Sequence, residues 1–313
     1  MTSILFLGTP QFAAPILEAL HQHFQIIGVV TQPDRPVGRK LVLTPPPTKK
    51  TAEKLGLKVY QPEKASEIPG LIREDFDFLI TAAYGEYLPE KVLKMPKKDA
   101  LNIHPSLLPK YRGATPMQSA LLSGDTITGV SIIRMVKEMD AGEIFAQSEM
   151  EIDSQIKYPK LEEECSRIGA QLIAEVLQRY ESICPVEQDA SQVTHCKKIQ
   201  KEDGIIDWEK ETAQQIFNKL RAYTPWPGVY TFFKQQKLSL LDYQPSNNES
   251  PSKAPPGTVF QMDGCTHIQC SVGSIVLTQI QLAGKKPTDI KSFVNGHPDF
   301  VGANLSLREV MYS

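Results

Sequence analysis

Apolar and polar residues follow one pattern up to residue 180 and a different one beyond residue 204. In the first part, short apolar runs at residues 3–7 and 25–30 enclose residues 11–23, where apolar side chains recur at helical spacing. A strand, a helix and a second strand in this order form a parallel pair with a right-handed crossover. The pattern therefore predicts an α/β fold with a mostly parallel sheet.

The alternation of apolar runs with helical spacing continues through the first part of the chain. Strands that alternate with helices are typical of a parallel sheet covered by helices. Further strands are predicted at residue 59 and at residues 76–81, 100–103, 128–135 and 143–152. Further helices are predicted at residues 51–55, 117–122 and 156–180.

Beyond residue 204 the chain changes to short strands separated by turns. A helical segment at residues 212–222 precedes the strands, and residues 289–294 can form a closing helix. This arrangement predicts a small β-barrel or sandwich at residues 204–313, joined to a first domain at residues 1–187 by an aperiodic linker at residues 188–203. The five predicted strands are residues 229–233, 237–243, 257–262, 266–271 and 274–280.

Composition is compatible with two domains and excludes some functional classes. At 313 residues the chain can bury more than one core. Its five cysteines are scattered, and none has the spacing of a zinc or redox motif, so we expect a reducing, cytoplasmic location. The N-terminal apolar run is too short for a signal peptide or a membrane span. With a net charge of -2, any nucleic-acid binding must be local.

A proline-rich, basic segment lies at residues 32–50. Its five prolines and one glycine exclude a continuous helix or a central strand, so we expect an irregular loop. Arg35, Arg39 and Lys40 make its first half basic, which suits contact with phosphates. A solvated surface loop explains the same residue types equally well.

Residues 82–89, AAYGEYLP, leave the carboxyl end of a predicted buried strand, which is where open α/β sheets bind ligands. Gly85 allows close approach to the backbone, and Tyr84 or Tyr87 can flank a flat ring, although ordinary turn packing also accounts for them. Gly8, after the first strand, is only one of the three glycines in the dinucleotide fingerprint, so a nicotinamide or flavin site is disfavoured.

Asn102, His104 and Asp140 are the candidate catalytic residues. Asn102 and His104 are two apart on a predicted strand, so they should point to the same side. An amide can stabilise a developing oxyanion, an imidazole can exchange a proton, and a carboxylate can orient the imidazole or hold a water. Because no activated nucleophile is evident, such a site would transfer a group between two substrates. A structural His and an Asp in an ordinary turn remain the alternative, and too few ligands are present for zinc.

The order of these residues resembles the folate-dependent formyltransferases. The matching core comprises Asn102-Ile103-His104, SLLP at 106–109, Arg112-Gly113, and Asp140 after TGVSIIRM. Other segments resemble those members of the family that formylate an aminoacyl-tRNA. These are GVVTQPDRPVGRK at 28–40, AAYGEYLP at 82–89, KIQKEDGIIDW at 198–208, RAYTPWPG at 221–228 and LAGKKP at 282–287.

The resemblance implies a Rossmann-like domain that binds 10-formyltetrahydrofolate, and a C-terminal OB-like barrel that helps hold the initiator methionyl-tRNA. It implies that Asn102 and His104 stabilise the oxyanion and that Asp140 assists proton transfer. It implies no metal and no membrane, and we expect a monomer. The folate contacts would come from Tyr84, Gly85, Glu86, Tyr87, Leu88, Ser106, Leu107, Leu108 and Pro109. The tRNA contacts would come from Arg35, Arg39, Lys40, Lys197, Lys198 and Lys201.

One departure concerns the basic loop, where the family usually has Gly-Arg-Gly followed by two basic residues. Here Gly38-Arg39-Lys40 leads into Leu41-Val42-Leu43. RAYTPWPG and the barrel also resemble parts of amino-sugar formyltransferases, so a formyltransferase acting on a small amine, such as an amino-sugar nucleotide, is the alternative within the family. A non-catalytic RNA-binding protein with a relic pocket is a second alternative, for which loss of the polar trio would be expected.

Overall fold

A computed structural model describes residues 1–38, 41–248 and 253–305. Two compact units are present in it. Unit 1 comprises Met1–Met117, Thr126–Asp153 and Lys160–Lys198, and unit 2 comprises Gln118–Asp125, Ser154–Pro159 and the chain from Ile199 onward. The residues of the predicted linker up to Lys198 thus pack with unit 1, whereas the domain boundary itself stays a prediction.

Unit 1 is built on a seven-stranded sheet. Its strands are β1 (Ser3–Gly8), β2 (Gln25–Val30), β5 (Val59–Tyr60), β6 (Phe78–Ala82), β7 (Asp99–His104), β9 (Ile127–Arg134) and β10 (Ile144–Glu151), in the order β10-β9-β7-β6-β1-β2-β5. The five strands from β7 to β5 in this order pair in parallel, and β9 and β10 are antiparallel. The predicted mostly parallel α/β sheet is confirmed.

Helices and two small strand pairs complete this part of the chain. The helices are α1 (Ala13–His23), α2 (Pro47–Lys54), α3 (Ile68–Leu71), α4 (Glu90–Leu93), α5 (Pro116–Ser123) and α6 (Tyr158–Gln178). The pairs are β3 (Arg35–Val37) with β4 (Val42–Thr44), and β8 (Arg112–Gly113) with β11 (His195–Cys196). The latter pair brings residues of the predicted linker alongside the loop after β7.

The central strands are buried because their sequences are continuously apolar. Every residue of β6, FLITA, is buried, as expected for a parallel strand covered on both faces. Helix α1 covers the sheet with one face only, which carries buried Ile16, Leu17 and Leu20. Its apolar residues recur every three or four positions, so they form a single stripe.

The segment at residues 32–50 differs from the expected irregular loop. Strands β3 and β4 form an antiparallel ribbon, and α2 begins at Pro47. Both features tolerate proline. Pro36 lies in a two-stranded ribbon, in which each strand is an edge, and Pro47 occupies the first turn of a helix, where its missing N–H is not needed.

Unit 2 contains an antiparallel sheet. Its strands are β12 (Val229–Phe233), β13 (Gln236–Ser246), β14 (Val259–Met262), β15 (Cys265–Gln269), β16 (Ser274–Leu282) and β17 (Thr288–Asp289), in the order β12-β13-β16-β15-β14 with β17 on β16. Helix α7 (Ala213–Tyr223) begins with a capping box, because Thr212 and Gln215 exchange side-chain to backbone hydrogen bonds. Helix α8 (Ile290–Gly296) follows β17. The predicted C-terminal β-domain is confirmed.

Over the residues described, no helix combines the length and apolar character needed to cross a membrane.

Candidate active site

The site forms at the carboxyl ends of β6 and β7, which lie side by side in parallel. Thr81 on β6 is opposite Asn102 on β7. His104 is the last residue of β7, where β9 pairs on the other side. The register of these strands therefore sets Asn102 and His104 at one edge of the sheet, as the spacing predicted.

Asp140 reaches both residues from the turn between β9 and β10. Its Oδ1 accepts a hydrogen bond from Asn102 Nδ2 at 3.3 Å, and its Oδ2 lies 3.7 Å from His104 Nδ1. The side chains of His104 and Asp140 are only 4% and 11% exposed. The structure thus brings the three predicted catalytic residues together in a largely buried cluster, where charges interact more strongly than in water.

The backbone of the loop after β7 holds one nitrogen of the His104 ring. The Tyr111 carbonyl lies 3.0 Å from His104 Nε2. Because a carbonyl only accepts hydrogen bonds, Nε2 carries a hydrogen. Nδ1, which lies 3.7 Å from Asp140 Oδ2, is then the ring nitrogen left for contacts within the site.

Thr81 orients the Asn102 amide. Its hydroxyl donates to Asn102 Oδ1 at 2.7 Å, which turns the amide nitrogen toward Asp140. Thr81 is 3% exposed. Thr81 is not among the residues predicted from the sequence, although a hydroxyl in the apolar run FLITA is a visible signal.

Gly113, part of the Arg112-Gly113 pair in the matching core, makes a contact that the sequence did not reveal. Its backbone N–H donates to Asp140 Oδ2 at 2.8 Å. Gly113 has φ 124°, and a Cβ there would lie 2.5 Å from the Cys196 carbonyl oxygen. Only glycine fits a backbone that turns this way against a neighbouring strand.

The predicted folate-binding residues at 84–88 fall into two groups. Tyr84 and Leu88 are 4% exposed and pack in the core, whereas Tyr87 is 57% exposed. Gly85 has φ 92°, with nothing within 4 Å of the position of a Cβ, and Glu86 accepts a hydrogen bond from the Ala65 N–H at 3.0 Å.

The Tyr84 hydroxyl is buried and has no hydrogen-bond partner among the described residues. Burial, together with the nearby carboxylates of Glu86 and Glu67, raises its pKa to about 12. The hydroxyl therefore keeps its proton at neutral pH, and it remains a potential donor.

The predicted folate-binding residues at 106–109 form a turn held by polar contacts. Ser131 Oγ donates to the Ser106 carbonyl at 2.6 Å and accepts from the Leu108 N–H at 3.1 Å. Gln147 Nε2 donates to the Leu108 carbonyl at 2.9 Å. Leu107 is half-buried, and the Leu108-Pro109 peptide bond is cis. The turn is thus anchored to β9 and β10.

Of the predicted tRNA-binding residues, Arg39 and Lys40 lie outside the described residues. Arg35 is exposed and lies 3.8 Å from a Glu63 oxygen. Lys197, Lys198 and Lys201 are also exposed, and no ion pair is recorded for them within the described part of the chain. Within that part, no group of three or more His, Cys, Asp and Glu residues is arranged to hold a metal ion.

Comparison with protein families matches both units. The Formyl transferase family matches residues 2–177, and the family "Formyl transferase, C-terminal domain" matches residues 198–298. A methionyl-tRNA formyltransferase of Listeria innocua is 41% identical over 312 residues, covering 98% of each chain. One from Staphylococcus aureus is 40% identical over 306 residues, covering 95% of this chain and 96% of its own.

Solved structures of more distant relatives share the fold. An N-formyltransferase from Helicobacter canadensis, in complex with folinic acid and dTDP-3-aminofucose, superposes with a TM-score of 0.66 at 18% identity over 88% of this chain and 99% of its own. HypX from Aquifex aeolicus in complex with tetrahydrofolic acid gives 0.63 at 17% identity over 95% of this chain and 48% of its own. The two family matches and the full-length relatives show that the chain belongs to the formyl transferase family, in the group of the methionyl-tRNA formyltransferases.

Proposed function

We propose that this chain transfers the formyl group of 10-formyltetrahydrofolate to the α-amino group of initiator methionyl-tRNA, for translation initiation. The observation that carries the proposal is the convergence of Asn102 and His104 on the carboxylate of Asp140. This cluster occurs in a chain that is 41% identical, over 98% of its length, to a methionyl-tRNA formyltransferase.

Residues beside the cluster suit a folate donor. The backbone at Gly85 is open, because nothing lies within 4 Å of the position of a Cβ, so a flat ring can approach it. The buried Tyr84 hydroxyl has no partner among the described residues. The anchored turn at residues 106–109 follows β7 directly. We assign the pterin to these two segments and the formyl group to the side of Asn102.

The three polar residues divide the chemistry of the transfer. The amine nitrogen forms a bond to the formyl carbon, and the bond from that carbon to the folate nitrogen breaks. Negative charge that develops on the formyl oxygen is stabilised by the Asn102 amide and by the His104 imidazole. The amine loses a proton and the folate nitrogen gains one. Asp140, beside His104, assists this proton transfer.

Within the family the acceptor separates the proposed function from its alternative. The Helicobacter canadensis relative was solved with dTDP-3-aminofucose, but it is only 18% identical to this chain, so its likeness extends to the fold alone. The full-length relatives at 40–41% identity favour methionyl-tRNA. We assign Arg35, Lys197, Lys198 and Lys201 to tRNA contact, together with Arg39 and Lys40 from the sequence. We also propose that the enzyme acts in the cytoplasm as a monomer.

The direct test is to supply 10-formyltetrahydrofolate with a labelled formyl group to the enzyme. Initiator methionyl-tRNA, elongator methionyl-tRNA and an amino-sugar nucleotide are offered separately. We expect label on the initiator methionyl-tRNA at a rate far above that on the other two. Label mainly on the amino-sugar nucleotide would replace this function with the alternative, and label on no acceptor would reject both.

A further inference from the structure

The turn that presents Asp140 is held by a side chain from a distant part of the chain. Gln188 Nε2 donates to the Asp140 carbonyl at 2.7 Å and to the Gly142 carbonyl at 2.8 Å. Asp140 has φ 53°, a left-handed conformation that an L-residue adopts at an energetic cost and keeps only where its surroundings hold it. Both amide hydrogens of Gln188 are used on this turn.

The other end of the same amide is equally occupied. Arg112 donates to Gln188 Oε1 from Nε at 3.0 Å and from Nη2 at 2.8 Å. The third guanidinium nitrogen, Nη1, donates to Glu138, two residues before Asp140, at 3.3 Å. Arg112 is 8% exposed, so its charge depends on these partners. Arg112 and Gln188 therefore bind the Asp140 turn from two sides.

An amide is the functional group that this position requires. The two carbonyls only accept hydrogen bonds, and the guanidinium only donates them. A side chain between them must donate at one end and accept at the other. Glutamate would satisfy Arg112 but would face the two carbonyls with an oxygen, and leucine would satisfy neither.

The backbone around Gln188 is itself fixed in place. Val186 and Ile144 exchange two backbone hydrogen bonds, at 2.8 and 2.9 Å, which set the chain before Gln188 against the start of β10. On the opposite side of the turn, a Cβ on Gly142 would lie 1.9 Å from the Arg134 carbonyl oxygen. The turn is thus confined between β9 and the segment that carries Gln188.

We propose that Gln188, supported by Arg112, is a positioning residue for the transfer reaction, which it serves by fixing the backbone of Asp140. The catalytic part of this inference rests on the proposed function of Asp140. Fixing the backbone aims the carboxylate at Asn102, His104 and the Gly113 N–H. Without the hydrogen bonds from Gln188, Asp140 relaxes from its left-handed conformation and these contacts loosen.

Two variants and one matched control test the kinetic effect. Gln188→Leu removes both functions of the amide, and Gln188→Glu keeps the pairing with Arg112 but loses both donors. We expect kcat to fall by about 10- to 100-fold in each, with KM for the folate donor within about twofold. Gln192→Leu serves as the control, because Gln192 is exposed and its amide donates a hydrogen bond to Asp189 on the surface. Wild-type kcat in Gln188→Leu would overturn the proposal.

The glutamate variant separates positioning from general stability. Because the introduced carboxylate would pair with Arg112, Gln188→Glu should melt higher than Gln188→Leu and still lose at least as much activity. Adding Gln188→Leu to Asp140→Ala should cause little further loss, because the two act as one unit. Equal losses in both backgrounds, or activity that simply follows the melting temperature, would make Gln188 a structural residue only.

A spectroscopic measurement keeps the test independent of the acceptor. The Gly113 N–H donates to Asp140 Oδ2, so its amide proton resonance reports where the carboxylate lies. In glycine-labelled protein we expect this resonance to move upfield in Gln188→Leu, as in Asp140→Ala, and to stay unchanged in Gln192→Leu. An unmoved resonance in Gln188→Leu would contradict the positioning role even if no acceptor were formylated.

Discussion

At the scale of single residues, Asn102 has one amide hydrogen for which the described residues supply no partner. Its Oδ1 is taken by the Thr81 hydroxyl and one hydrogen on Nδ2 by Asp140. The amide therefore cannot rotate without breaking both contacts, and its second hydrogen keeps one direction. A donor fixed in this way can stabilise charge that develops on a substrate oxygen without reorganising during the reaction.

We expect Asn102→Ala to lower the transfer rate by about 100- to 1,000-fold, because an oxyanion donor is lost. His104→Ala should lower it by about 100-fold or more, because the second group that stabilises the charge on the formyl oxygen is lost. Folate affinity should change little in either variant, since neither residue is assigned to the pterin. Single-turnover transfer rates and equilibrium folate binding measure the two effects.

Asn247→Ala and His23→Ala serve as controls, because both residues are exposed. Near-normal turnover in the Asn102 or His104 variant would show that the assigned roles are wrong.

At the scale of elements, a group of polar side chains fixes the start of the β3–β4 ribbon. Lys49, on α2, contacts both carboxylate oxygens of Asp34 at 3.0 and 2.9 Å. Gln61, after β5, donates to Asp34 at 2.8 Å and to the Gln32 carbonyl at 2.9 Å. The chain that enters the ribbon therefore contacts α2 and the segment after β5. These contacts fix the start of the ribbon.

Protonation of Asp34 should weaken these contacts and loosen the start of the β3–β4 ribbon. Hydrogen bonds from Gln61 and Lys49 hold the pKa of Asp34 below its ordinary value of 3.8. A lowered pKa in the folded state means that the contribution is present above pH 3.8 and is lost as the pH falls through the lowered value. At about pH 6, we expect several-fold faster hydrogen exchange of β3 and β4 in Asp34→Asn than in the wild type.

As the pH is lowered below 3.8, after correction for intrinsic exchange rates, the difference between the two proteins in this ribbon should shrink. Asp75→Asn is the matched control, because Asp75 is 82% exposed and pairs with Lys97 away from the ribbon. A difference between wild type and Asp34→Asn that did not shrink as the pH fell would mean that Asp34 acts by some other route than its charge.

Elements were more predictable from the sequence than the contacts that complete the site. Strand β6 and the spacing of Asn102 and His104 follow from periodicity, which needs only neighbouring residues. Thr81 was visible as a polar residue in an apolar strand, but its partner depends on strand order. Gln188 is 48 residues from Asp140, in a stretch without periodicity. The residues around Gln188 in the sequence do not indicate this contact, because it is made by one side-chain amide and a few backbone atoms.

At the scale of the whole molecule, a net charge of -2 leaves tRNA binding to local groups of basic residues. Many lysines of this chain are paired with carboxylates. Lys54 lies 3.7 Å from Glu18, and Lys97 lies 3.1 Å from Asp75. Lys197, Lys198 and Lys201 are exposed, and no ion pair is recorded for them within the described ranges. Unpaired lysines are the ones whose charge is available to phosphates.

Replacing Lys197, Lys198 and Lys201 together by alanine should lower kcat/KM for tRNA and flatten its salt dependence. Each lost phosphate contact should reduce the slope of log kcat/KM against log salt by about 0.7–0.9. KM for the folate donor should stay unchanged. The measurement is a salt series between about 50 and about 200 mM.

The matched control replaces Lys54, Lys97 and Lys160, which are all paired with carboxylates. An equal loss of slope in both triple variants would mean that only total charge matters.

Gln188 and Cys196 lie in the stretch between the two family matches. The first match ends at residue 177, and the second begins at residue 198. This stretch carries the amide that holds the Asp140 turn and the strand that lies against Gly113. In a chimaera that combines this chain with the C-terminal domain of a relative, a junction at residue 177 would exchange part of the active site unintentionally. A junction after Lys198 would keep the catalytic turn with its own partners.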